Sequence, residues 1–155
     1  MDKIDMTILG YCTILIVLIP FLLSLTIKVK KRLRLKKIVN GTTALTPKQF
    51  FNLRQSYHGQ LKAFDFPGAY IIYNISKRKY YIGQSIHVMS RVNSHLSGRG
   101  NGDVYADYKY GDRFEIRVVK LKKSGYKNLN DLERELIDMY DSCKSGYNRQ
   151  RGNVT

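Results

Sequence analysis

Cysteine is nearly absent from this chain: only Cys12 and Cys143 occur, far apart and in no paired spacing. That excludes a structural zinc site, a redox pair and a disulfide framework, and it predicts a reducing compartment for the folded part. Acidic residues are also scarce. Twelve Asp+Glu face 27 Lys+Arg, a net charge of +15 with a pI near 9.9. An excess of this size points to a polyanionic partner, nucleic acid or an anionic membrane surface, against the plainer reading of a basic soluble protein. Internal repeats are missing. At 155 residues the chain allows one modest domain plus appendages. No stretch is left for a zinc finger or a helix-turn-helix module, so any sequence preference toward nucleic acid is expected to be weak or short.

One long hydrophobic run is present. Met6 to Ile27 is 22 residues without a charge. As a helix it would extend roughly 30 Å, the thickness of a bilayer's hydrocarbon core. Pro20 falls inside it, which membrane helices tolerate. A cleaved signal peptide fits less well, because the leading segment MDKID is not positive and the basic run follows the apolar one. The run is therefore predicted to be a single transmembrane helix over 6–27. Residues 28–37, KVKKRLRLKK, carry seven positive side chains. Their position places the C-terminal part in the cytoplasm by the positive-inside rule. They would also attract anionic head groups, and could touch nucleic acid only non-specifically.

Residues 28–45 read as a basic juxtamembrane linker ending in IVNGTTAL. Thr46-Pro47-Lys48-Gln49 then has the pattern of a helix start, with a Thr cap, Pro in the first turn and Gln three residues on. A connecting helix is predicted over 46–63; His58, within it, reads as an ordinary histidine. From Gly68 the chain alternates, Tyr70-Ile71-Ile72-Tyr73-Asn74-Ile75, as a strand does. Polar residues up to Lys79 turn it back into a second strand starting at Tyr80. Ile86, Met89, Val92 and Leu96 fall at helical spacing. Residues 97–111 read as a Gly-rich loop, with one short helical turn allowed near 104–108. Phe114 to Leu121 alternates again, as a half-buried strand. A last helix runs from Leu129 to about Tyr140, capped by Asn128 or Asn130, with Leu129, Leu132, Leu136, Ile137 and Tyr140 in one stripe. The order β-β-α-β-α gives an α+β domain over 64–155: a small, mostly antiparallel three-stranded sheet flanked by helices, preceded by the transmembrane helix.

Arg91 and His95 lie four apart on the predicted helix and so share a face. With tyrosines on the neighbouring hairpin they form a constellation suited to an anion. Residues 64–155 hold 16 Lys+Arg against 10 acids, which supports contact with nucleic acid without sequence information.

Gly68-Ala69-Tyr70, ten intervening residues, then Tyr81-Ile82-Gly83 resembles the signature of the GIY-YIG nucleases. The resemblance continues through Asn74, Gln84-Ser85, Arg91, His95 as R-x3-H, Glu133 in LNDLERELI and Asn148 in GYN, covering about residues 66–150. One departure is Ala69 in place of Ile. Intron homing endonucleases, some restriction enzymes and the incision nuclease of bacterial excision repair belong to that family, so the resemblance implies a metal-dependent DNA phosphodiesterase. Its implied site is Tyr70, Tyr81, Arg91, His95, Glu133 and Asn148, with Glu133 as the metal ligand.

The chemistry of those side chains agrees. Phosphodiester hydrolysis needs an activated water, charge neutralisation on the phosphate and help for the leaving oxygen. One carboxylate, Glu133, could hold a single Mg²⁺ or Mn²⁺ and leave places for water and substrate; otherwise it is a helix-surface Glu, as Glu135 is expected to be. Arg91 offers a forked, permanent cation to phosphate oxygens. His95 could relay a proton. A tyrosine, with a reference pKa near 10, becomes a base only if Arg91 and a metal favour its phenolate. Tyr70 is the preferred base, with Tyr81 orienting water or phosphate; Tyr73 and Tyr80 read as packing residues, and His87 as helix entry. Asn148 either bonds within the site or pins the C-terminal turn. The expected protein is a membrane-tethered DNA endonuclease facing the cytoplasm, acting on incoming foreign DNA. The alternatives are a non-catalytic DNA-binding membrane tether, and a surface protein whose charge serves lipid alone.

Overall fold

A computed structural model describes residues 3–57 and 65–152, with side chains from Ile16 onward. The chain divides into two units, Met1–Lys36 and Lys37–Thr155.

The first unit is helix. Helix α1 (Lys3–Asn40) passes Pro20 without ending and continues through the basic run into the start of the second unit. The linker expected over 28–45 is therefore helical up to Asn40. The reason is local: Lys, Arg and Leu are good helix formers and no Gly or Pro interrupts them. Side chains from Ile16 to Ile27, among them Phe21, Leu22, Leu23 and Leu25, are exposed. Among the described residues no helix is long and apolar enough to cross a membrane, so the transmembrane span predicted over 6–27 is not borne out. The side chains of residues 6–15 within that run lie outside the described set.

Helix α1 stops at Gly41, whose N–H returns to the carbonyls of Lys37 and Ile38 at 3.1 Å. Arg117 from the sheet donates to the carbonyl of Thr42 at 2.6 Å, satisfying an acceptor just past the helix end. Leu45 then exchanges two backbone hydrogen bonds with Ile116 before α2 (Pro47–Ser56) begins. The capping box is formed: Gln49 N–H donates to Thr46 Oγ1, and the Gln49 side chain accepts from Thr46 N–H at 2.9 Å. The helix ends at Ser56, short of the predicted Ala63; residues 58–64, and His58 with them, lie outside the described residues.

Strands β1 (Gly68–Asn74), β2 (Lys79–Ser85) and β3 (Phe114–Lys120) form one antiparallel sheet in the order β2-β1-β3. Asn74 accepts from the Lys77 N–H in the β1–β2 turn, where Arg78 takes a left-handed φ of 56°. Register sets the faces. Tyr70 opposes Gly83 and Val118, and Ile72 opposes Tyr81 and Ile116, so these six share one side. That side packs against Phe50 of α2, Val88, Met89, Val92 and Leu96 of α3 (Val88–Leu96), and Val104 of α4 (Gly102–Lys109). Burial of each such side chain contributes about 1.5–3 kcal/mol. The opposite side, with Ile71, Ile82 and Val119 buried, carries α6 (Leu129–Met139), which buries Leu132, Leu136 and Ile137. Gln84 on this side donates to Asn130 at 2.9 Å.

Two expectations change. Ile86 is 62 % exposed and lies outside α3, whose apolar stripe begins instead at Val88. The short helical turn allowed near 104–108 within the loop is a longer helix, α4, of two turns, whose cap, Asn101, accepts from Val104 N–H at 3.0 Å. A further short helix, α5 (Leu121–Ser124), follows β3. Asn128, the first of the two predicted caps, starts α6 by accepting from Asp131 N–H at 2.8 Å.

Candidate active site

Position on the strands comes first. Tyr70 and Tyr81 sit on adjacent strands with both rings on the α3 side, their centroids 6.1 Å apart. Gly83 lies opposite Tyr70, and a Cβ there would run into the Tyr70 phenol. Only glycine lets that ring lie across β2.

Helix α3 brings His95 to the same place. Its ring centroid is 4.7 Å from Tyr81 and 5.3 Å from Tyr70. His95 Nε2 is 2.8 Å from Tyr70 Oη, and its Nδ1 accepts from the backbone N–H of Asn101, also at 2.8 Å. An Nδ1 that accepts a backbone hydrogen bond carries no proton, so neutral His95 is protonated at Nε2. Nε2–H therefore donates to the Tyr70 oxygen. Gly100 makes the close approach possible, because a Cβ at that position would strike the imidazole.

His95 is fully buried. Burial, and then the charge of Arg91, hold its pKa down to about 4. Tyr70 is 2 % exposed. Burial pushes its phenol upward, the nearby Tyr81 adds to the rise, and Arg91 pulls the other way without winning. The expectation that Arg91 brings Tyr70 closer to ionisation is thus not met: desolvation outweighs the single cation. Tyr81 is also raised, chiefly by burial, with Glu133 adding to it; Tyr70 and Arg91 oppose the rise. Arg91 and His95 differ in burial but meet the same phenol: Arg91 hydrogen-bonds Tyr70, and its charge acts on His95 as well. Arg91 is at the exposed surface of α3, while His95 points into the core.

The position of α3 is set from a distance. Asp65 caps its first turn, accepting from Met89 N–H at 2.8 Å, from Ser90 N–H at 3.1 Å and from the Ser90 hydroxyl at 2.6 Å. His87, at the N-cap position, makes no side-chain cap bond.

A cleft of ≈ 260 Å³ opens beside this cluster, lined by Tyr81, Glu133, Asn101, Tyr147, Asn148 and Arg149 among others. The structure thus brings Tyr81, Glu133 and Asn148 to one cavity. Tyr70 and His95 lie behind Tyr81, outside the lining, and Arg91 acts on both phenols from the surface. Glu133 is 9 % exposed, on the first turns of α6. Of the two alternatives for Asn148, the structure supports pinning. Its Oδ1 accepts from Ile82 N–H at 2.8 Å, and its Nδ2 donates to Ile82 O at 2.7 Å. Ile82 lies on edge strand β2, so the side-chain amide stands in for a missing strand partner. Tyr147 N–H completes the seam, donating to Tyr80 O at 2.9 Å. Tyr73 and Tyr80 are stacked at 4.3 Å on the other face, as packing residues.

Among the described residues no three His, Cys, Asp or Glu side chains gather as a metal cage. They therefore offer no structural zinc cage of the Cys/His kind. A magnesium-type ion suits the cleft better, since it keeps several waters and needs one or two carboxylates. Glu133 is the carboxylate in the described lining, and Gly152 faces it: a Cβ there would meet Oε2 at 3.4 Å.

Three contributors were not singled out from sequence. Asp65 acts across a long separation and leaves no local signature. Asn101, as an Asn preceding a helix, was readable as a cap, but its hold on His95 was not. Tyr147 belongs to the GYN turn and walls the cleft, with its phenol donating to Asp107 at 2.6 Å.

No curated protein and no solved structure matches this chain. Residues 66–148, more than half of the chain, match the GIY-YIG catalytic domain. That match spans both glycine-tyrosine signatures, Arg91, His95 and Glu133, and the chain belongs to the GIY-YIG family of endonucleases.

Proposed function

We propose that this protein hydrolyses phosphodiester bonds in DNA with one divalent cation held by Glu133, and that Tyr81 is the proton acceptor. The observation that carries the reading is the shared cleft: Tyr81 and Glu133 line one cavity while Tyr70 and His95 stand behind the phenol. The donors run one way. Asn101 N–H points to His95 Nδ1, and His95 Nε2–H to Tyr70 Oη, which leaves the Tyr70 hydroxyl proton directed toward Tyr81. Donors aimed at a phenolate favour it. Arg91 adds positive charge to Tyr81 and can take phosphate oxygens through its fork. Tyr81 accepts the proton of the attacking water only as the phenolate, after its own proton has gone to solvent. The Tyr70 donor and Arg91 favour that form against the rise that burial imposes, and His95, neutral above about pH 4, keeps Tyr70 oriented as a donor. A divalent ion, when bound, would neutralise phosphate charge and acidify bound water.

The substrate side rests on charge. Sixteen cations against ten acids over residues 64–155 favour phosphate backbones of any sequence. Tethering is a further part of the proposal. The uncharged run Met6–Ile27, followed by seven cations over 28–37, fits a single-pass anchor with the catalytic domain in the cytoplasm. The exposure of the described apolar side chains from Ile16 to Ile27 agrees with an apolar surrounding. An enzyme held there would meet DNA entering at the membrane, phage or plasmid among them. Deleting Met6–Ile27 should release the protein from the membrane fraction and weaken restriction of incoming DNA; unchanged restriction rejects that role.

The enzymatic reading is tested by incubating the protein with supercoiled plasmid and Mg²⁺. Nicking that disappears in Glu133→Ala supports it. Tight DNA binding without nicking supports a non-catalytic tether instead.

A further inference from the structure

A second cavity, ≈ 350 Å³, lies against the first. It is lined by Lys77, Lys79, Asp103, Asp107, Tyr147 and Arg149, among others. Tyr147, Asn148 and Arg149 line both cavities. The C-terminal turn is therefore a rib between two halves of one groove along the edge of β2.

This rib is firmly built. Tyr147 is 6 % exposed, with its N–H on Tyr80 O and its phenol donating to Asp107 and accepting from Asn74 at 2.8 Å. Asn148 N–H donates to Ser142 O at 3.1 Å, and its side chain is tied to Ile82 at both ends. A Cβ on Gly146 would strike the Tyr80 and Ser142 carbonyls, so the turn lies directly on the strand.

Charge in the second cavity separates into a spent part and an available part. Asp107 is held below the ordinary carboxylate range by Lys77 and the Tyr147 hydroxyl, which outweigh its partial burial. Lys77 also reaches Asp112 at 3.6 Å. With two carboxylates to one ammonium, that cluster leaves Lys77 no charge to spare. Lys79 also acts on Asp107 by its charge, yet it is exposed, with its ammonium 5.7 Å above the Tyr147 ring. Arg149 is 84 % exposed and meets Asp103 at 3.4 Å, a surface contact of small worth. Lys79 and Tyr81 are two residues apart on β2 and so project to the same side, about 6.6 Å apart along the strand.

We infer that this second half of the groove binds the DNA backbone beside the scissile bond, with Lys79 and Arg149 each contacting a phosphate of the strand that Tyr81 and Glu133 act on. The inference rests on the endonuclease reading above. It adds a direction: the strand leaves the catalytic cleft over the Tyr147–Asn148 rib, toward the β1–β2 turn.

The test is the salt dependence of binding to a short DNA duplex, in the presence of EDTA, by the full chain. Each phosphate contact contributes about 0.9 to the slope of log K against log salt. Lys79→Ala/Arg149→Ala should lower that slope by about 2 and make a fourfold rise in salt roughly tenfold less damaging. Lys79→Arg should keep the wild-type slope, and Lys48→Ala, on α2, should not change it. A double variant with unchanged slope and affinity, beside a wild type that binds and nicks, overturns the groove and leaves the endonuclease standing. A wild type that neither binds nor nicks DNA overturns both.

Discussion

The backbone N–H of Asn101 donates to Nδ1 of His95 at 2.8 Å, and this bond decides which imidazole nitrogen faces Tyr70. His95 is thereby a hydrogen-bond donor to a phenol oxygen, not a base poised to remove its proton. Nitrogen-15 NMR of the imidazole at pH 7 should show the Nε2–H tautomer. His95→Ala would leave the Asn101 N–H and the Tyr70 oxygen unmatched, costing about 2–4 kcal/mol of stability together with much of the activity. A Nδ1–H signal would contradict the arrangement.

The same residue sets a pH dependence. Folded His95 has its pKa held down to about 4, against about 6.5 for an unfolded histidine. Between these values the unfolded chain binds more protons, so stability rises with pH across the window. The contribution, up to about 3 kcal/mol, is complete above about pH 6.5 and is lost as pH falls toward 4. Urea titrations of wild type between pH 4 and 7.5, set beside His95→Gln, check this: the variant should lose much of the slope.

Gly83 is predicted to be the least replaceable residue of the hairpin. Its Cβ would overlap the Tyr70 ring, which is walled in by Met89, Val92 and the sheet. Gly83→Ala should cost about 1–3 kcal/mol in a thermal melt and displace Tyr70 from His95.

Asn148 supplies one donor and one acceptor to Ile82 on the edge of β2. Asn148→Ala should lower stability by about 1–3 kcal/mol. Asn148→Asp keeps the acceptor but sets a carboxylate oxygen against the Ile82 carbonyl, so it should cost at least as much despite its closer shape. Urea midpoints of the two variants decide the order.

Much of this domain was legible because local rules and core packing agree. The alternation through Tyr70–Ile75 and Phe114–Leu121, the Thr46/Gln49 capping box and the stripe on α6 each gave the right element. Site residues were legible in part, because Tyr70, Tyr81 and Glu133 keep recognisable spacings. What escaped depends on chain distant in sequence. Asp65 caps α3 from 24 residues away, and Ile86 falls outside a stripe that periodicity alone would extend to it. Arg91 and His95, four apart on one helix, differ in burial although both reach Tyr70, and that difference is not visible in spacing. Burial also reverses the expected effect on Tyr70, since a nearby cation is visible in sequence and desolvation is not. The end of α1 was misjudged for another reason: a basic run reads as a linker by charge, yet its residues favour helix.

The central claim is that the phenol in the cleft accepts the proton while the buried one supports it. Single-turnover cleavage of a labelled duplex with Mg²⁺, for Tyr81→Phe and Tyr70→Phe side by side, tests this most directly. The account predicts a loss of about 10²–10⁴-fold for Tyr81→Phe and a smaller loss for Tyr70→Phe. Cleavage that survives in Tyr81→Phe and vanishes in Tyr70→Phe would contradict it.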